Sequence, residues 1–109
     1  MDDLKGFQKK YLREQAHHLK PVVLIGQKGI TDQVIESIDQ ALDDHELIKI
    51  KFLDYKEKES KNELAAQIVE QTGAQTVGMV GHTVILFRPR KNPADRKIRI
   101  PQREANSDS

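Results

Sequence analysis

The chain contains no cysteine and no tryptophan, and aromatic residues make up only 5% of it. Without cysteine there is no disulfide, no thiolate zinc site and no cysteine nucleophile, a composition that fits a reducing compartment. Long apolar runs are missing as well: nothing approaches the roughly 20 residues that a membrane-spanning helix needs. The opening "MDDLKGFQKK" has neither the basic start nor the apolar stretch of a signal peptide, so a cytoplasmic location is expected. Length is limited too. With 109 residues there is room for one core and no second catalytic domain. An apolar fraction of 37% against a charged fraction of 32% predicts a modest core under a heavily charged surface.

Net charge is also small, at +1, but the sum hides a segregation along the chain. Residues 1–29 carry six Lys and Arg against three Asp and Glu, residues 30–63 carry five against ten, and residues 87–103 carry seven against one. Such a chain can fold with one basic and one acidic face, and a basic face is an electrostatic footprint for a polyanion.

Apolar residues at Leu4, Phe7, Tyr11, Leu12 and Leu19 have helical spacing, while Lys9, Arg13 and His17 recur four apart on another face. Pro21 ends this basic amphipathic helix, and the run Val22–Ile25 reads as a strand covered on both sides. Thr31 is placed to cap a second helix with the stripe Val34, Ile35, Ile38, Ala41 and Leu42, and Ile30 and Ile35 are spaced as a hydrophobic staple. "ELIKIKFLD" alternates as a strand with Ile48, Ile50 and Phe52 on one face and Lys49 and Lys51 on a wet, basic one. Leu64, Ala65, Ile68, Val69 and Thr72 mark a third helix closed by Gly73. "TVGMV" and "TVILF" are strands joined at Gly81–His82 by a tight hairpin, with glycine at the first turn position. "KIRIP" (97–101) is suited to a short edge strand, and 102–109 to a disordered polar tail. The order α-β-α-β-α-β-β predicts a single domain over 1–101, a two-layer α/β sandwich on a mixed four-stranded sheet.

The most informative junction is "VVLIGQKGITDQVI", where the first strand passes through Gly26, Gln27, Lys28 and Gly29 into the second helix. Two glycines leave the backbone amides open to close approach, the following helix adds the positive end of its dipole, and Lys28 adds a mobile charge, a combination suited to phosphate. The plainer reading is a tight turn with a solvated lysine. Lys9, Arg13 and Lys20 lie on or just before the strand that leads to this loop. "RPRKNPADRK" holds five basic residues against one acid, and Arg88, Arg90 and Lys91 are therefore expected to contact phosphate. As exposed charges they should scarcely affect stability. Adjacent residues in "DDHE" (43–46) do not converge on a metal, and "GQKG" lacks the spacing of a nucleotide-hydrolysing loop. No cofactor, metal or catalytic group is expected.

The stretch "AHHLKPVVLIGQKGITDQVIESIDQALDDHELIKIKF" resembles a CRM domain, named for chloroplast RNA splicing and ribosome maturation, in its bacterial stand-alone YhbY-type form. The resemblance spans Leu4 to about Pro101 and rests on "LKPVV", on "GQKG" as an instance of the family's GxxG loop, on the "IT" that opens helix two, and on "HELIKIK". Two departures stand out: Ile30 replaces the more usual leucine, and "NPAD" lengthens the segment before "KIRIP". The resemblance implies a fold like the C-terminal domain of a bacterial translation initiation factor, binding of structured RNA without catalysis, and association with precursors of the large (50S) ribosomal subunit; a monomer is expected. A different possibility, motivated by the acid surplus, is a protein-interaction adaptor on the ribosome or its assembly intermediates that docks through its acidic second helix.

Overall fold

The alternating segment "LIKIKF" forms the second strand of the sheet, and its two faces organise everything else. In the computed structural model, which describes residues 3–53 and 58–103, the elements are α1 (Gly6–Ala16), β1 (Pro21–Ile25), α2 (Asp32–His45), β2 (Leu47–Phe52), α3 (Lys58–Thr72), β3 (Gln75–Val80) and β4 (Thr83–Phe87). The sheet order is β1-β2-β4-β3, with β1 parallel to β2 and the other pairs antiparallel. The expected element order and mixed four-stranded sheet are thus observed. From 104 on, the expected polar tail lies outside the described residues.

Ile48, Ile50 and Phe52 of β2 share one face with Val84 and Leu86 of β4, and there pack under Ile38 and Leu42 of α2 and Ala65 and Ile68 of α3. Leu47 pairs with Phe87, and Lys49 with Ile85, so these residues occupy the opposite face. There Leu47, Ile85 and Phe87 meet Leu12 and Ala16 of α1, together with Leu4 and Val77. Helix α1 therefore lies across the sheet from α2 and α3, and the sheet becomes a central layer, where a two-layer sandwich was expected. An amphipathic stripe specifies that a helix needs an apolar surface, not which of two it takes.

The first strand is less covered than its apolar sequence suggests. Ile25 is fully buried under α2, but Val22 and Leu24 are 49% and 56% exposed because α1 does not reach across to this edge. "KIRIP" also departs from expectation. It forms no strand; a short 3-10 turn at Pro93–Asp95 redirects the chain, and Ile98 and Ile100 pack beside Tyr11 onto the α1 layer. Gln8 Nε2 donates to the Pro101 carbonyl at 3.1 Å, tying this segment to the helix.

Local punctuation follows the sequence closely. The Thr31 hydroxyl accepts from the Val34 amide at 3.1 Å as the N-cap of α2. Gly73 takes φ +75° and its amide donates to Val69 at 2.9 Å, closing α3. Gly81, at φ +58°, starts the β3–β4 turn.

Candidate nucleic-acid interface

Residues 26–29 form a four-residue turn closed by the Gly29 amide, which donates to the Gly26 carbonyl at 3.0 Å. Gln27 and Lys28 occupy the exposed corner. The two glycines answer different needs. Gly29 sits at φ +69°, a conformation in which a β-branched residue is an outlier. Gly26 is not among the positive-φ residues, and a Cβ built there would meet nothing within 4 Å. Neither strain nor crowding calls for glycine at Gly26, and its lack of a side chain leaves open space over the end of β1. The helix that follows begins with the exposed Asp32, whose carboxylate already complements the positive helix end, so Lys28 is the loop's principal attraction for an anion.

The structure spreads the other candidate residues over the sheet. Arg13 lies near its middle, at the row of Gly78, Ile85, Lys49 and Pro21. Its side chain crosses β3 at Gly78, where a Cβ would come within 3.1 Å of its Cδ, and its guanidinium donates to the Val77 carbonyl at 3.4 Å. Lys9 lies one turn earlier on the same flank of α1, half-buried, and His17 one turn later. Lys49 of β2 reaches the His17 carbonyl at 3.5 Å, which places a cation beside this flank. Lys20 is exposed but precedes β1, so the length of that strand separates it from Gly26.

Arg88, Arg90 and Lys91 follow β4 at the end of the sheet opposite the loop, and the two arginines have partners within the fold. Arg88, with its side chain 22% exposed, donates to the Asp39 and Asp43 carboxylates at 2.6 and 2.8 Å, to the Thr72 carbonyl at 2.7 Å and to the Asp39 carbonyl at 3.1 Å. It joins α2 to the end of α3. Arg90 donates to the carbonyls of Asp43, Asp44 and Asp95, each at 2.9 Å, closing the C-terminal end of α2. The expected separation into a basic and an acidic face therefore fails here, because the basic cluster lies against the acids of α2. Charge counted along the chain gave no sign of this, since Arg88 and Asp39 are 49 residues apart.

Arg88→Gln should accordingly lose about 2 kcal/mol of stability, a partly exposed ion-pair network lying between surface and buried limits. RNA affinity should change by less than about twofold. Thermal unfolding and RNA titration of the same variant check this; unchanged melting with weakened binding would restore the arginine to phosphate contact.

Glu46 is the residue that sequence reasoning passed over. It is fully buried, at φ +64°, directly after α2. One carboxylate oxygen accepts from the Arg90 amide at 2.9 Å, and the other from the amides of Lys97 and Ile98 at 2.7 and 3.1 Å. Within "DDHE" nothing distinguishes this acid from its solvated neighbours, apart from its place between a helix and a strand. Among the described residues no group of three or more His, Cys, Asp and Glu side chains could hold a metal. No described helix is long and apolar enough to cross a membrane.

Fold and loop together define a small α/β domain whose glycine-bracketed strand-to-helix turn is open to solvent at the end of a mixed sheet. Residues 4–88 match the CRS1/YhbY (CRM) domain, and the chain belongs to that family. It is 39% identical over 103 residues to an RNA-binding protein of Haemophilus influenzae, covering 94% of this chain and 100% of that one. It is 38% identical over 98 residues to YqeI of Bacillus subtilis, named as a probable RNA-binding protein, covering 90% and 99%. The solution structure of the hypothetical protein SAV1595 from Staphylococcus aureus superposes with a TM-score of 0.77 at 35% identity, covering 91% of this chain and 100% of that one. The names of the family and of these relatives indicate RNA binding, not enzymes.

Proposed function

We propose that this protein is a non-catalytic, cytoplasmic RNA-binding factor that grips structured RNA by its backbone at Gly26–Gly29 and assists assembly of the large ribosomal subunit from its precursor. The observation that carries the reading is Gly26: the fold tolerates a side chain there, in ordinary φ and open space, yet the position is kept bare beside an exposed lysine. With no side chain at Gly26 a phosphate can come close to the backbone beside Lys28, and contact of this kind reads shape and charge more than base sequence. In this reading the RNA backbone runs on from the loop along the flank of α1 that carries Arg13 and Lys9, and Lys20 and Lys91 add exposed charge at the margins. Arg88 and Arg90 serve the fold in this account.

The adaptor reading is weaker. Asp39 and Asp43, part of the acid surplus that motivated it, are engaged by Arg88. Crosslinking in cells followed by sequencing of the attached RNA tests the proposal: reads should concentrate in the large-subunit ribosomal RNA precursor. Reads spread over messengers or introns, or a protein partnership that survives nuclease, would overturn it.

A further inference from the structure

The strand registers assemble a row that crosses all four strands next to the glycine loop. Leu24 of β1 pairs with Lys51 of β2, Lys51 with Thr83 of β4, and Thr83 with Val80 of β3. At about 4.8 Å between strands the row is on the order of 14 Å long. Leu24 stands two residues before Gly26, so one end of the row adjoins the loop. Through Lys51 and Thr83 the row shares the face that carries α1, but it lies beyond the helix's cover: Leu24 is 56% exposed, Val80 is 70% exposed, and Lys51 is open to solvent. The basic flank of α1 borders it, with Arg13 against Gly78 and Lys49 at the His17 carbonyl.

This composition is unlike a surface that only follows phosphates. A paired RNA helix turns its base faces inward and presents phosphates and sugars, to which Leu24 and Val80 offer little. An unpaired strand exposes base faces and edges that can lie on aliphatic side chains while its phosphates reach a central lysine. We infer that the RNA gripped at Gly26–Gly29 continues across this row as an unpaired segment, with bases or riboses on Leu24 and Val80 and backbone phosphate at Lys51. The ligand class is therefore structured RNA interrupted by a bulge or loop. Charge complementarity supports RNA as the occupant, since no acidic side chain stands in the row, Lys51 lies within it and Lys49 and Arg13 border it. The inference rests on the RNA-binding reading given above.

The test compares two RNAs of equal length, one fully paired and one with a central bulge, against the parent chain, the double variant Leu24→Asn/Val80→Asn, Val80→Asn alone, and a loop variant with Gln27→Asp and Lys28→Asp. The parent should bind the bulged RNA at least about tenfold more tightly than the duplex. The double variant should reduce that preference to less than about threefold with duplex affinity unchanged, and Val80→Asn should fall between. Both changed side chains are largely exposed, and Val80→Asn alone provides the readout should the double variant melt early. Equal binding of the two RNAs by the parent would overturn the inference, as would a preference that survives in both row variants or a row variant that weakens both RNAs alike. In the second case the row would serve a protein partner instead. If the loop variant still weakens RNA binding, the backbone-grip reading survives that failure; if the parent binds neither RNA, both readings fall.

Discussion

Glu46→Ala is expected to lower stability by about 3 kcal/mol, which for a domain of this size corresponds to a melting point about 12–20 °C lower. The carboxylate accepts three backbone amides from a segment that has no strand partners of its own, those of Arg90, Lys97 and Ile98. Each orphaned buried donor costs about 1–3 kcal/mol, and the estimate lies well below three times the upper value because water can reach part of this surface segment. The loss should propagate, since the same segment carries Ile98 and Ile100 onto the apolar layer under α1. Two companion variants isolate the cause. Glu46→Gly relieves the positive φ but removes the acceptor, so it should melt nearly as low as alanine. Glu46→Gln keeps one carbonyl oxygen for Lys97 and Ile98 and turns an amide toward Arg90, so it should lose about half as much. A melting point within 3 °C of the parent, about half a kcal/mol, would show that the three bonds are replaced by water without loss.

The second large effect is on binding. Replacing Gln27 and Lys28 together by Asp keeps both glycines, and with them the turn and its Gly29-to-Gly26 bond, while it reverses the charge of the exposed corner. Two carboxylates ahead of a helix N-terminus are mildly favourable, although Asp32 already occupies that field, so stability should change by less than about 0.5 kcal/mol. A phosphate would meet two like charges where it had met a cation, and RNA affinity should fall at least about tenfold, or 1.4 kcal/mol. A variant that binds as well as the parent would reduce "GQKG" to a turn.

Local rules with a stereochemical cause were legible from the chain alone. Thr31, Gly73 and Gly81 occupy the cap and turn positions expected of them, because a hydroxyl at an N-cap and a residue at positive φ are demands of a few neighbouring atoms. The alternation of Ile48, Ile50 and Phe52 was equally readable, since period two assigns side chains to faces without reference to the partner. Facts that depend on distant partners were not legible. Val22–Ile25 is uniformly apolar, yet whether a helix covers its second face depends on how far α1 extends. Ile98 and Ile100 are half-buried against the α1 layer, but whether an apolar pair packs as a strand or as an irregular strap depends on whether a free sheet edge lies alongside. The arginines after β4 looked like a phosphate site because charge was counted in sequence, while in space Asp39 and Asp43 compensate Arg88 and backbone carbonyls hold Arg90. Glu46 was invisible for the same reason, its donors lying 44 to 52 residues away.

The central claim is electrostatic contact between exposed cations and RNA backbone, and the salt dependence of affinity tests it most directly. Each neutralised phosphate releases condensed counterions, so with roughly four to six contacts the slope of log affinity against log salt should be about −3 to −5. The contributing side chains are those the fold leaves accessible at the loop and along α1, and the Gln27→Asp, Lys28→Asp variant should show a shallower slope than the parent. A parent slope near zero, with affinity retained at high salt, would contradict the account.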